Sequence, residues 1–217
     1  MAKYLFFDLD GTLTDPFEGI TSAILYALGK MGMEKPERAF LGKFIGPPLT
    51  GSFREYLGMT GEEADRALSL YREYYRDRGL FENALYPGIP EALAKLKSAG
   101  KTVCLATSKP EPFARRILEH FSVDGYFDEI CGATLDGTRE TKAAVLRELT
   151  ARLAVDPADP DAVMIGDRRH DAEGAREAGI PTVGVLWGYR EEEELLAGGA
   201  DCLIREPREI SEIKGIA

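Results

Sequence analysis

Cysteine is scarce: Cys104, Cys131 and Cys202 are the three in 217 residues. They are widely spaced, odd in number and set among apolar neighbours. No CxxC pair or Cys/His cluster occurs, which argues against a disulfide framework and a thiolate zinc site; reduced thiols in a core are expected. Long apolar runs are missing as well. None approaches the roughly 18–20 residues that cross a bilayer. The opening MAKYLFFDLDG has one lysine, a short apolar run and then acids, unlike a secretory leader, so a cytoplasmic location and no membrane partner are expected. Positive charge is in deficit: 27 Lys and Arg face 37 Asp and Glu, a net charge of −10. Such a chain repels polyanions, which argues against nucleic acid as its partner. An anionic substrate must then be met by local positive charge from a metal, a lysine or helix N-termini.

An apolar content of 44% suffices for one good core with a small satellite domain. Short apolar runs at 4–9, 103–107, 127–131, 163–165, 182–185 and 202–204 alternate with helically spaced segments. That rhythm predicts βαβ units: an α/β fold with a doubly wound, mostly parallel sheet covered by helices. The first interval breaks it. Ile20, Ala23, Ile24, Ala27, Leu28 and Met31 follow helical spacing, Thr60 with Glu63 reads as a capping box, and a helix continues towards Gly79 as its C-cap. With no strand there, residues 16–85 are expected to form an inserted helical domain, leaving 1–15 and 86–217 as the core domain. Later helices are expected over 89–99, 113–120, 141–153 and 171–178, the third running into a Pro157/Pro160 turn.

Four segments carry chemistry. In FFDLDGTLTD (6–15), Asp8 and Asp10 stand two apart at a strand end, so strand periodicity sends both to one side. Two carboxylates there repel each other and cost desolvation, which a purely structural account explains poorly. Gly11 is read as turning the backbone so that N–H groups face an anion. In MIGDRRHDAEGA (164–175), Asp167 again ends an apolar strand, and Asp171 opens a helix as either an N-cap or a support for a metal. Because open α/β sheets bind ligands beyond the carboxyl ends of their strands, Asp8, Asp10 and Asp167 are expected to converge as an oxygen-rich site for a hard cation, Mg²⁺. In CLATSKPEP (104–112), the hydroxyls of Thr107 and Ser108 with nearby backbone N–H groups suit phosphate oxygens. In LDGTRETKAAVL (135–146), Lys142 falls in a helix's first turn, against the dipole, which points to a functional use; Lys109 and Arg139 are the alternatives for that cation.

In this order the segments resemble the haloacid-dehalogenase superfamily of hydrolases across essentially the whole chain, with the helical insert similar to that family's cap domain. The resemblance implies that Asp8 attacks phosphorus to form an aspartyl-phosphate, and that Asp10 protonates the leaving alcohol and then activates water. It further implies that Thr107 and Lys142 hold phosphoryl oxygens while Asp8, the backbone carbonyl of Asp10, and Asp167 carry Mg²⁺. TSKP, LDGTR, GDRRHD, VLWGY and FIGPPL are similar to enzymes described as phosphoglycolate phosphatases or 5′-nucleotidases. The expected partner is therefore a small phosphorylated metabolite, with Lys43 of the insert as a candidate for a substrate anion, on a monomer or weak dimer. A sugar phosphomutase and a phospho-accepting regulatory domain share parts of the pattern; the first would return the phosphoryl group to a hydroxyl and the second would retain it. His170 is not needed for either acid–base role, and Trp187 and Tyr189 read as core or rim packing.

Overall fold

In a computed structural model of the chain, which describes residues 2–156, 159, 161–189 and 191–213, the longer apolar runs become strands of one sheet. The chain runs through β1 (Tyr4–Phe7), β2 (Thr14–Asp15), α1 (Phe17–Met31), α2 (Leu49–Leu57), α3 (Gly61–Tyr74) and β3 (Ala84–Leu85). It continues through α4 (Ile89–Ser98), β4 (Thr102–Pro110), α5 (Glu111–His120), β5 (Glu129–Ala133) and α6 (Lys142–Leu153). The last elements are β6 (Ala162–Gly166), α7 (Arg169–Ala178), β7 (Thr182–Val185), α8 (Glu192–Gly198) and β8 (Cys202–Ile204). Six strands pair in the order β5-β4-β1-β6-β7-β8, each parallel to its neighbours.

Burial explains why these strands read as continuous apolar runs. Leu5, Phe6 and Phe7 are all buried although alternate residues point to opposite faces, so β1 is covered on both sides. Phe6, Cys104, Ala106, Cys131 and Met164 form one face, packed by Val145, Leu146 and Leu149 of α6 and by Ala175 and Ala178 of α7. The fold is α/β with a Rossmann-like parallel core, and its winding reverses at β1: β4 and β5 lie to one side, β6 to β8 to the other. The carboxyl ends of β4, β1 and β6 therefore meet at a switch point, the place where open sheets form a ligand crevice.

Element ends depart from expectation in instructive ways. The 4–9 run stops being strand at Phe7, which leaves Asp8 to Leu13 for a turn. Strand β4 runs on past Thr107 to Pro110, with an irregular register against β5. Strand β5 starts at Glu129, two residues later than read. Cys104 and Cys131 are buried, but Cys202 is exposed, correcting the expectation of three core thiols; it opens β8, the last strand of the sheet. Pro157 and Pro160 lie outside the described residues. No helix among the described residues is long and apolar enough to cross a membrane.

The chain divides into two compact units, Met1–Thr14 with Leu85–Ala217, and Asp15–Ala84. The second is helical: α1 buries Ile20, Ala23, Ile24, Ala27 and Leu28, and α3 buries Ala64, Ala67 and Tyr71. Thr60 begins α3 with a reciprocal cap. Its Oγ1 accepts from Glu63 N–H at 3.3 Å, and its own N–H donates to Glu63 Oε2 at 2.8 Å. Gly79 does not close this helix as expected. The chain widens into a π-helical turn over Tyr75–Gly79, and Leu80 keeps right-handed helical angles.

Thr60→Ala should cost about 1 kcal/mol. The check is amide hydrogen exchange, expected to accelerate through the first turn of α3; unchanged exchange there would mean the cap contributes nothing.

Candidate active site

At the end of β1, Asp8 donates its backbone N–H to Ile165 O at 2.9 Å, tying the start of the turn to β6. Its carboxylate joins those of Asp167, just past β6, and Asp171, in the first turn of α7. One oxygen from each lies within 4.8 Å of the others, and all three residues are buried. Lys142, the first residue of α6, enters this group. Its Nζ donates to Asp8 Oδ1 at 2.7 Å, to Asp171 Oδ1 at 2.8 Å and to the Ala106 carbonyl at 2.8 Å, using all three ammonium protons. Thr141 caps α6 ahead of it by accepting from Ala144 N–H at 3.2 Å, so the cap and the cation occupy adjacent positions. Asp171 is not the N-cap of α7. It sits within the first turn, where Oδ2 accepts the backbone N–H of Arg168 at 3.1 Å while Oδ1 meets Lys142.

Gly11 is required here for two reasons. Its φ is +85°, and a Cβ on it would stand 2.2 Å from Asp167 Oδ2. The N–H of Gly11 itself donates to Thr14 O at 2.7 Å and closes the turn internally, so it is not one of the N–H groups that could face an anion there. Asp167 has a second set of supports that the sequence did not reveal. Tyr189 N–H donates to Oδ2 at 2.9 Å, and Thr12 Oγ1 lies 3.5 Å from Oδ1. Trp187 Nε1 donates to Thr12 O at 2.9 Å. Trp187 and Tyr189, for which core or rim packing is expected, belong to a loop after β7 that ties the β1 turn to the end of β6. The Tyr189 contact is made by backbone, so no side-chain signal could have announced it.

The carboxylate of Asp10 does not join the cluster, contrary to the expectation that Asp8, Asp10 and Asp167 converge; Asp171 takes that place. Asp10 Oδ2 lies 2.5 Å from Lys109 Nζ instead. Lys109 and Lys142, weighed as alternatives, both enter the site, whereas Arg139 turns to Gly132 O and Glu111. Thr107 is buried within β4, just before its register against β5 shifts, and its hydroxyl accepts from Lys109 N–H at 3.2 Å; Ser108 is exposed. His170 is half-exposed beside Glu173. Lys43 belongs to the helical unit, is exposed, and holds its ammonium 5.0 Å from the Phe40 ring centroid.

Charge in this buried space is out of balance. Burial, and then the neighbouring Asp171 and Asp8, push Asp167 well above the usual carboxylate range. Burial raises Asp171 to about 6, with Lys142 opposing and Asp8 adding to the rise. Burial likewise raises Asp10, against the pull of Lys109. For Lys142 burial acts downward, but Asp171 and Asp8 outweigh it and the net direction is up. Three carboxylates against one ammonium leave two negative charges among all-oxygen donors, an arrangement that fits a hard divalent cation.

Residues 5–185 match the family described as haloacid dehalogenase-like hydrolase. The chain is 45% identical to a 5′-nucleotidase of Pseudomonas aeruginosa, over 89% of this chain and 86% of that protein. It is also 45% identical to the tyrosine-protein kinase PtkA of Mycobacterium tuberculosis, over 86% of this chain but 63% of the longer relative. Among solved structures, that of a predicted phosphatase from Clostridium acetobutylicum superposes with a TM-score of 0.92 at 42% identity, covering 98% of this chain and 97% of the other.

A carboxyl whose pKa is higher folded than unfolded takes up protons on folding. Its contribution to stability therefore falls as pH rises from about 4, the unfolded value, towards the folded one. For Asp171 that window ends at about 6, and the loss persists above it. In metal-free protein at pH 8, Asp167→Asn should thus melt above the parent, by roughly 2–4 °C per kcal/mol of repulsion and burial cost relieved. The gap should narrow towards pH 4. Thermal melts with chelator test this, and a variant that melts no higher than the parent at pH 8 would contradict it.

Proposed function

The chain belongs to the haloacid dehalogenase-like hydrolases, and from that premise we propose that it is a phosphatase of small phosphomonoesters with Asp8 as its nucleophile. The observation that carries this reading is the meeting of Asp8, Asp167, Asp171 and Lys142 at the switch point of the sheet. Asp8, Asp167 and the backbone carbonyl of Asp10 would hold Mg²⁺, with Asp171 as supporting carboxylate. The ion, when bound, supplies Lewis-acid stabilisation of the phosphoryl oxygens.

The chain's own residues divide the remaining work. A phosphomonoester and a carboxylate nucleophile are both anions, so Lys142 lowers the barrier to their approach by balancing Asp8 from one side. Thr107, whose hydroxyl oxygen already accepts from Lys109 N–H, keeps its proton as a donor for a phosphoryl oxygen. The Asp8 carboxylate attacks phosphorus as the P–O ester bond breaks; the ester oxygen takes the electron pair and a proton from Asp10, leaving as alcohol. Water then attacks the phosphoryl group on Asp8, passing a proton back to Asp10, and the carboxylate of Asp8 is regenerated with release of phosphate. Burial raises Asp10 towards the protonated form that the first step requires. A tyrosine or sugar hydroxyl in place of that water would give a kinase-like or mutase outcome, so release of inorganic phosphate is the discriminating product. The 45% identity to a 5′-nucleotidase favours nucleoside monophosphates as the first esters to try, ahead of 2-phosphoglycolate.

The test is phosphate release from nucleoside 5′-monophosphates, 2-phosphoglycolate and sugar phosphates, compared by kcat/KM with magnesium. At least one ester should turn over repeatedly, chelator should stop it, and Asp8→Asn should lower kcat by about 10⁴-fold or more. Undiminished turnover in Asp8→Asn, or no phosphate from any ester, would sink the reading.

A further inference from the structure

The two oxygens of Asp10 have unequal surroundings. Oδ2 stands 2.5 Å from Lys109 Nζ, and the two side chains are only 14% and 6% exposed. Oδ1 is buried and has no hydrogen-bond partner among the described residues. An unpartnered buried oxygen is costly and calls for an explanation. Here it falls on the one group that the proposed reaction needs to pass a proton in both directions.

Lys109 owes its inward position to the way β4 ends. The register of β4 against β5 shifts between Thr107 and Pro110, and such irregularities re-aim side chains. Ser108 is exposed while Lys109 is buried beside it. The backbone on either side is held: Lys109 N–H donates to Thr107 Oγ1 at 3.2 Å, and a Cβ on Gly132 would stand 2.6 Å from Lys109 O. The ammonium is therefore delivered to Asp10 by a fixed piece of main chain.

Resting on the phosphatase reading above, we propose that Lys109 is the positioning residue of Asp10. It pins Oδ2, keeps this carboxyl apart from the group formed by Asp8, Asp167 and Asp171, and leaves Oδ1 as the oxygen that exchanges the proton. In the first step, the proton moves from Oδ1 to the ester oxygen as that oxygen gains the electron pair of the broken P–O bond. In the second, a proton from the attacking water returns to Oδ1 as the pair of the Asp8–phosphorus bond goes back to the carboxylate. Lys109 gains and loses no bond in either step.

An alkyl alcohol needs that proton in order to leave, whereas p-nitrophenolate does not. The experiment compares kcat/KM, which covers the steps through loss of the alcohol, for an alkyl phosphate and p-nitrophenyl phosphate on parent, Lys109→Met and Lys109→Arg. The aryl-to-alkyl ratio should rise about 10- to 10²-fold in Lys109→Met and return most of the way in Lys109→Arg. Partial unfolding lowers both esters alike and leaves the ratio untouched; Lys109→Gln supplies the same comparison where methionine is not tolerated. A parental ratio in the neutral variants, as expected if Lys109 served only the fold or the phosphate group, overturns the proposal. A parent that releases phosphate from neither ester overturns the phosphatase reading and this inference with it.

Discussion

The ammonium of Lys142 stands between Asp8 and Asp171 and also donates to the main chain of β4 at Ala106. Breaking a buried ion pair by removing one partner typically costs about 3–5 kcal/mol, because a charge is left uncompensated. Here a single cation serves two carboxylates at once. Its three contacts tie the turn after β1, the middle of β4 and the first turn of α7 to the first residue of α6, so four segments share one electrostatic centre. Without it, the carboxylates would face each other in a space that already raises Asp167 and Asp171.

The rest of the site is arranged around that centre by close main-chain packing. Gly11 admits Asp167 where any side chain would collide with it, and the loop after β7 closes the far side through Tyr189 N–H and the indole of Trp187. These ties are short, partly buried and made between segments apart in sequence. They hold Asp8 against Lys142 and set the Asp10–Lys109 pair apart from that group. Preorganisation of this kind means that little rearrangement is needed when charge shifts during reaction.

Sequence reading went furthest where periodicity and charge had to agree with burial. Parallel strands covered on both faces leave uninterrupted apolar runs, so the sheet, the helical insert and the capping box at Thr60 were all legible. Acids at strand ends were legible because buried carboxylates are too expensive to be incidental. What was not legible depended on angles rather than identities. The turn after Phe7 sends Asp10 towards Lys109, and position 171 lies within the first turn of α7 rather than at its N-cap, where its side chain reaches back to Lys142. The Tyr189 contact to Asp167 is a backbone one, invisible in any string of letters. The exposure of Cys202 follows from its place on the last strand, which the local apolar context did not disclose.

The short strands β2 and β3 pair with each other in a sheet of their own, and they mark where the chain leaves the parallel core and where it comes back. Departure and return are thus neighbours, separated by no strand of the main sheet. Closing a loop costs only logarithmically more as it lengthens, so an excursion of this size burdens the core little more than a short hairpin would. The junction therefore behaves as a socket: modules of other lengths and shapes could be seated there through evolution or by grafting, while the strand order and the group around Lys142 stayed as they are.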